Sequence, residues 1–130
     1  MSAAASLIAE AAARGVKLQA VAGGLRYVAP RGALSPELRD RIVACKPAVL
    51  RYLADVALGQ ASTRLANGWP GRELAARLCP SVLADFDAAE TATEHAIVTG
   101  GDWLAPLVRW EAAGDAVKRA VAAARRGPSR

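Results

Sequence analysis

One histidine, two cysteines and a short run of carboxylates are the residues of this chain whose chemistry could go beyond packing. A nucleophile needs a base within hydrogen-bond reach and a further group that orients the base. His95 is the single imidazole; it stands beside Glu94 in an amphipathic segment and reads as a surface or packing residue. Asp87, Glu90 and Glu94 share one helix face, but a di-metal carboxylate site would also want a Glu-x-x-His pair on a facing helix, which is absent. They read as a solvated acidic face. Cys45 and Cys79 show no CxxC or paired spacing and fall at apolar positions of helical segments. Free, buried thiols are therefore expected, not a disulfide or a metal site. Gly23-Gly24 and Gly100-Gly101 belong to turns, since neither GxGxxG nor GxxxxGK[ST] occurs. The expectation is a protein that is not an enzyme and holds no metal and no cofactor.

Charge points to binding. The net charge is +5 and the isoelectric point is near 9.9, which suits nucleic acid, acidic peptides or anionic surfaces as partners. Residues 1–58 hold 8 Lys/Arg against 4 acids, and residues 59–130 hold 9 against 8. No acid stands between Glu10 and Glu37, where Arg14, Lys17, Arg26 and Arg31 are concentrated. Residues 81–115 are the reverse, with seven acids against Arg109 alone. The alanine-rich run at residues 3–13 is interrupted by Glu10 and lacks a basic lead, so it does not read as a signal peptide. No apolar run approaches the length of a membrane span. A cytoplasmic protein without membrane contact is expected.

The elements that must position these residues follow from composition and pattern. Hydrophobic residues make up 53% of the 130 and aromatics only 5%. Most of the apolar content is alanine, which favours helices but buries little surface, so a thin helical core is expected. A first helix is predicted from about Ala3 to Arg14, with Leu7, Ile8, Ala11 and Ala12 as its apolar stripe and Gly15 as its stop. Two strands follow, Val16–Ala22 and Leu25–Ala29, around a Gly23-Gly24 turn. That turn would pair Ala22 with Leu25, Ala20 with Tyr27 and Leu18 with Ala29 on the core face. The other face would carry Lys17, Gln19, Val21, Arg26 and Val28.

Ser35 is read as the cap of the next helix, with Pro36 in its first turn and Glu37 complementing the positive end. Pro47 should break or kink this helix at Lys46. A further helix carries Val49, Leu50, Leu53, Val56 and Ala57 and extends to about Leu65. Asn67-Gly68-Trp69-Pro70-Gly71 is the densest set of turn signals. Beyond it come a short helix at Arg72–Leu78, a longer one capped by Ser81, and a last helix capped by Asp102. The last helix places Trp103, Leu107, Trp110, Gly114, Val117, Val121 and Ala124 in a seam suited to a neighbouring helix or another copy. The fold class is mainly α with one β-hairpin. The division expected is an αββαα module at 1–58, a linker at 59–71, a helical lobe at 72–126 and a frayed tail at 127–130. Residues 1–60 are expected to fold without the rest, with dimerisation as a support for so small a core.

From Leu7 to Leu58 the order of motifs is specific. It comprises Leu7-Ile8-Ala9-Glu10, Arg14-Gly15-Val16-Lys17-Leu18, and Gly24-Leu25-Arg26-Tyr27-Val28-Ala29-Pro30. It continues with Gly32-Ala33-Leu34-Ser35-Pro36-Glu37-Leu38 and Lys46-Pro47-Ala48-Val49-Leu50. This stretch resembles the TubC-type N-terminal docking domain of hybrid nonribosomal peptide and polyketide synthases. The resemblance implies a non-catalytic, often homodimeric αββαα adaptor that captures a short segment of another protein through its exposed hairpin. Carried onto this chain, the partner-binding positions would be Lys17, Gln19, Val21, Arg26 and Val28, with Arg31 at their edge. In assembly lines such a domain precedes a catalytic domain. Residues 59–130 resemble no such domain, so the docking mode is what is expected to carry over.

Two other functions compete with docking. The cations around the hairpin could bind backbone phosphates of nucleic acid. Tyr27 would face the core, however, and one aromatic makes a poor stacking platform. A small inhibitor encoded by a mobile element or phage, acting on a host complex in the manner of an anti-CRISPR, also fits a docking fold with an acidic 81–115 segment. Docking to an acidic or extended protein segment is the reading preferred here.

Overall fold

Ser2 opens the first helix by accepting a hydrogen bond from the Ala5 N–H on its Oγ at 3.1 Å. Helix α1 (Ala3–Ala13) follows in the computed structural model, which describes residues 2–22 and 24–127. It ends as predicted at Gly15, which has φ +80°. The Val16 N–H returns to the Ala11 carbonyl at 2.9 Å, closing a Schellman-type stop. The chain then enters β1 (Lys17–Val21) and β2 (Gly24–Val28), an antiparallel hairpin.

The register differs from the predicted one. Leu18 pairs with Tyr27, Ala20 with Leu25 and Val21 with Gly24, a slip of two residues that puts Gly24 in the strand. Gly23, half of the predicted turn, lies outside the described residues. The slip leaves every side chain on its predicted face, because facing alternates with period two. Burial of Leu18, Leu25 and Tyr27 selects the face but does not distinguish registers two residues apart.

Ser35 caps α2 (Pro36–Ala44) through a bond from the Leu38 N–H to its Oγ at 3.2 Å. The break foreseen at Pro47 falls at Cys45, and α3 (Lys46–Ala66) starts at once with Pro47 in its first turn. There the missing N–H costs nothing. Helix α3 runs to Ala66, in keeping with the predicted extension to about Leu65. Ala57, Ala61 and Leu65 continue an apolar row against the second core cluster, and this sustains the helix. Only Asn67–Gly71 turns, with Gly68 and Gly71 at positive φ.

Helices α4 (Arg72–Leu78), α5 (Pro80–Thr99) and α6 (Leu104–Arg125) complete the fold. Ser81 is not the cap of α5, which begins one residue earlier at Pro80; Cys79 occupies the cap position without a side-chain hydrogen bond. Asp102 does accept the Leu104 N–H at 3.1 Å, though Trp103 stands at the cap position of α6. Both thiols are free and sit at helix junctions, Cys45 half-buried and Cys79 buried. Of the expected tail, residues 128–130 lie outside the described residues.

Two hydrophobic clusters form. Leu7, Val16, Leu18, Leu38, Ile42 and Val49 enclose the space between α1, the hairpin, α2 and α3. Leu83, Phe86, Ile97, Trp103, Trp110 and Val117 fill the second, between α5, α6 and the rest of α3. Leu53 packs against both, so α3 is common to the two. Trp69, Phe86 and Trp110 pack in series, the first pair tilted and the second stacked, with ring centroids 5.0 and 5.7 Å apart, and supply the volume that the alanines lack. The predicted α6 seam faces this core, except that Ala124 is exposed. Gly114 permits the approach of α3 and α6, because a side chain there would overlap Leu65 and come within 3.3 Å of Phe86. Lys118 completes the contact, its ammonium donating to the Arg64 and Asn67 carbonyls at 3.2 and 2.6 Å and closing the C-terminal end of α3.

Candidate functional site

A β-hairpin with one apolar face must bury that face and leave the other to solvent. Leu18, Ala20, Leu25 and Tyr27 take the buried side. The other side presents three cross-strand pairs in a row: Lys17 with Val28, Gln19 with Arg26, and Val21 with Gly24. Arg26 donates from Nη2 to Gln19 Oε1 at 2.8 Å, which orders the middle of the row. Val28 is 46% exposed, a large apolar side chain open to solvent. The structure thus brings five of the six predicted residues onto one surface. Arg31 lies exposed beyond the end of β2, outside the row. Among the described residues, β1 and β2 pair only with each other, and a two-stranded hairpin offers backbone donors and acceptors to an added strand at any edge that no helix covers.

The row ends on a cation that the sequence reading did not assign to it. Gly24 lacks a side chain, and the ammonium of Lys46, at the start of α3, lies 3.6 Å from where its Cβ would be. Past that point a cleft of about 560 Å³ opens between the hairpin tip, the first turns of α3 and the α5–α6 connection. Leu50, Ile97, Val98 and Leu104 are among its walls. Val98 is 72% exposed although it follows the buried Ile97. A valine off the apolar stripe of α5 is the signal that could have marked this surface. Nothing in the linear pattern places it near the hairpin.

The residues weighed for catalysis are dispersed. His95 is exposed. Asp87 is held by Arg72 across α4 and α5 through two hydrogen bonds of 2.9 and 2.6 Å. Among the described residues, no group of three or more His, Cys, Asp or Glu is placed to hold a metal ion. Hydrogen bonding from Arg72 lowers the Asp87 pKa below its ordinary value. Glu10 is lowered too, chiefly by the hydrogen bond from Arg41, which ties α1 to α2, with Arg14 adding a smaller attraction. Depressed carboxylates stabilise the fold above their unfolded-state pKa values and lose that contribution as the pH falls through the folded-state values. Thermal melts between pH 7 and 3 should therefore show the melting temperature falling below about pH 4.5. Arg72→Gln should flatten that acid limb by roughly a few degrees, the scale of an exposed ion pair. An unchanged slope would show that the pair does not govern it.

Comparison with known proteins agrees with the geometry over the first half of the chain. Residues 5–55 match the family model of the TubC N-terminal docking domain. The match begins inside α1, takes in the hairpin and α2 and ends inside α3; it thus contains the whole exposed row and Lys46. Searches of curated proteins and of solved structures found no match. Among the described residues no helix is long and apolar enough to cross a membrane.

Proposed function

We propose that this protein is a non-catalytic docking module that takes an extended, acidic segment of a partner protein along its hairpin. The observation that carries the reading is the ordered row Lys17/Val28, Gln19/Arg26, Val21/Gly24, exposed on a segment that matches a docking-domain family. A partner strand added at the hairpin edge gains main-chain hydrogen bonds, and alternate side chains then meet the row. Lys17, Arg26 and the outlying Arg31 favour Asp or Glu in that strand, while Val21 and Val28 give it an apolar footing. Charge of this kind raises the association rate and selects the partner more than it raises affinity. The reading needs no cofactor, and it places the protein in the cytoplasm beside the partner.

The test is ligand choice under one salt condition. The full chain is titrated with the products of neighbouring genes and, separately, with single- and double-stranded nucleic acid. A protein partner should bind, and Arg26→Glu should weaken it about tenfold at low salt and less at high salt, because exposed charges are screened. Val28→Asp should weaken it at every salt concentration, and the melting temperature of both variants should stay near that of the unmodified chain. Salt-sensitive binding to nucleic acid of any sequence, with no protein partner, would overturn the docking reading.

A further inference from the structure

The exposed row and the cleft are one continuous surface. Val21 and Gly24 form the last pair of the row and also line the cleft. Facing alternates along a strand, so the position that a Gly24 side chain would occupy lies on the same side as Gln19 and Arg26. The Lys46 ammonium lies 3.6 Å from that position. It makes no ion pair among the described residues, whereas the neighbouring Arg51 is paired with Asp55 at 3.3 Å. From Lys17 through Arg26 to Lys46 the surface is cationic. Beyond Lys46 it becomes apolar, through Leu50, Ile97, Val98 and Leu104. Asp102 stands on the far wall with its carboxylate turned to the Leu104 N–H. Val108, one turn after Leu104 on α6, is 65% exposed.

We propose that the cleft receives the apolar end of the partner segment whose acidic part lies on the hairpin. The partner's chemistry is then bipartite: two or three Asp or Glu residues opposite Arg26 and Lys46, followed by an apolar pair in the cleft. This deepens the docking reading and rests on it. It also gives residues 97–104, outside the docking-family match, a part in choosing the partner. Lys46 stands where the row meets the cleft and so offers a counter-charge to the acidic part of the segment, whereas past it Arg51 is already engaged by Asp55 and the walls offer mainly apolar side chains. A cleft of about 560 Å³ holds a few apolar side chains, within the range of pockets that bind small ligands.

The experiment uses the full chain as bait for a display library of random twelve-residue peptides. A selected peptide is then titrated against four variants. The expected selection is enriched in Asp or Glu followed by Leu, Ile, Val or Phe. Val98→Asp and Leu104→Ser should each weaken its binding at least tenfold, and Lys46→Glu should do the same at low salt. Arg119→Glu, a distant exposed control, should leave it unchanged. Peptides that depend on Arg26 and Val28 but not on Val98, Leu104 or Lys46 would overturn the cleft proposal and leave hairpin docking standing. Selection of basic peptides, or of none, would overturn it as well. If Val98→Asp instead dissociates a dimer of the free chain in sedimentation equilibrium, the occupant is a second copy and the proposal fails. Nucleic-acid binding in place of peptide binding would remove the docking reading itself.

Discussion

Trp110→Ala is expected to cost about 3–5 kcal/mol, the range for truncating a buried large aromatic side chain. Trp110 is 4% exposed, stacks on Phe86, and lies in the same cluster as Val117 on α6 and Ala61 on α3. Its stacking partner Phe86 is itself buried and held against Trp69, so the space should be refilled only in part and a cavity should persist. A loss of this size is a large fraction of a small domain's stability of roughly 5–15 kcal/mol. Urea unfolding followed by far-ultraviolet circular dichroism measures it, and a loss under about 1 kcal/mol would contradict the packing described. Trp110→Phe makes the comparison sharper. The indole Nε1 is buried without a hydrogen-bond partner among the described residues, and a buried unpaired donor carries a penalty of about 1–3 kcal/mol. Phenylalanine removes that donor and keeps the ring stack, so its loss should be less than half that of alanine.

Ile42→Ala should be the corresponding blow to the first core, with an expected loss of about 2–5 kcal/mol. Ile42 is fully buried, in the cluster formed by Leu18, Leu38 and Val49. Its neighbour Val43 is 56% exposed on the same helix, and Val43→Ala should change stability by no more than about 0.5 kcal/mol. The two substitutions delete similar groups one residue apart, so the contrast isolates burial from helix propensity. Because the exposed row stands on this core, Ile42→Ala should also lower the temperature at which a partner is bound. Val43→Ala should not. Equal losses for the two variants would mean that α2 does not turn its Ile42 face to this core.

Local chemistry made much of this molecule legible from its residues alone. Gly15 stops α1, Ser35 and Pro36 start α2, and Pro47 separates α2 from α3, because turns and caps depend on residues within a few positions of one another. The face of each strand was also legible, as was the α6 seam through Trp103, Leu107, Trp110, Gly114, Val117 and Val121. Period two and the alternating steps of three and four are properties of the backbone. The ordered motifs from Leu7 to Leu58 were enough to point to a docking-domain family, and the match over residues 5–55 bears this out.

What depends on distant residues was decided only in three dimensions. The hairpin slipped by two residues, since hydrophobic facing is indifferent to an even shift. Helix α3 is shared by two cores, since Leu53 packs against both clusters while Ala61 and Leu65 bury against the second. The placement of Lys46 beside Gly24, and of Val98 and Leu104 at the end of the hairpin row, joins elements some twenty to eighty residues apart in sequence. No spacing rule reaches that far. Such neighbours are set by how α3, α5 and α6 pack around shared side chains, and close packing rather than local propensity determines that arrangement.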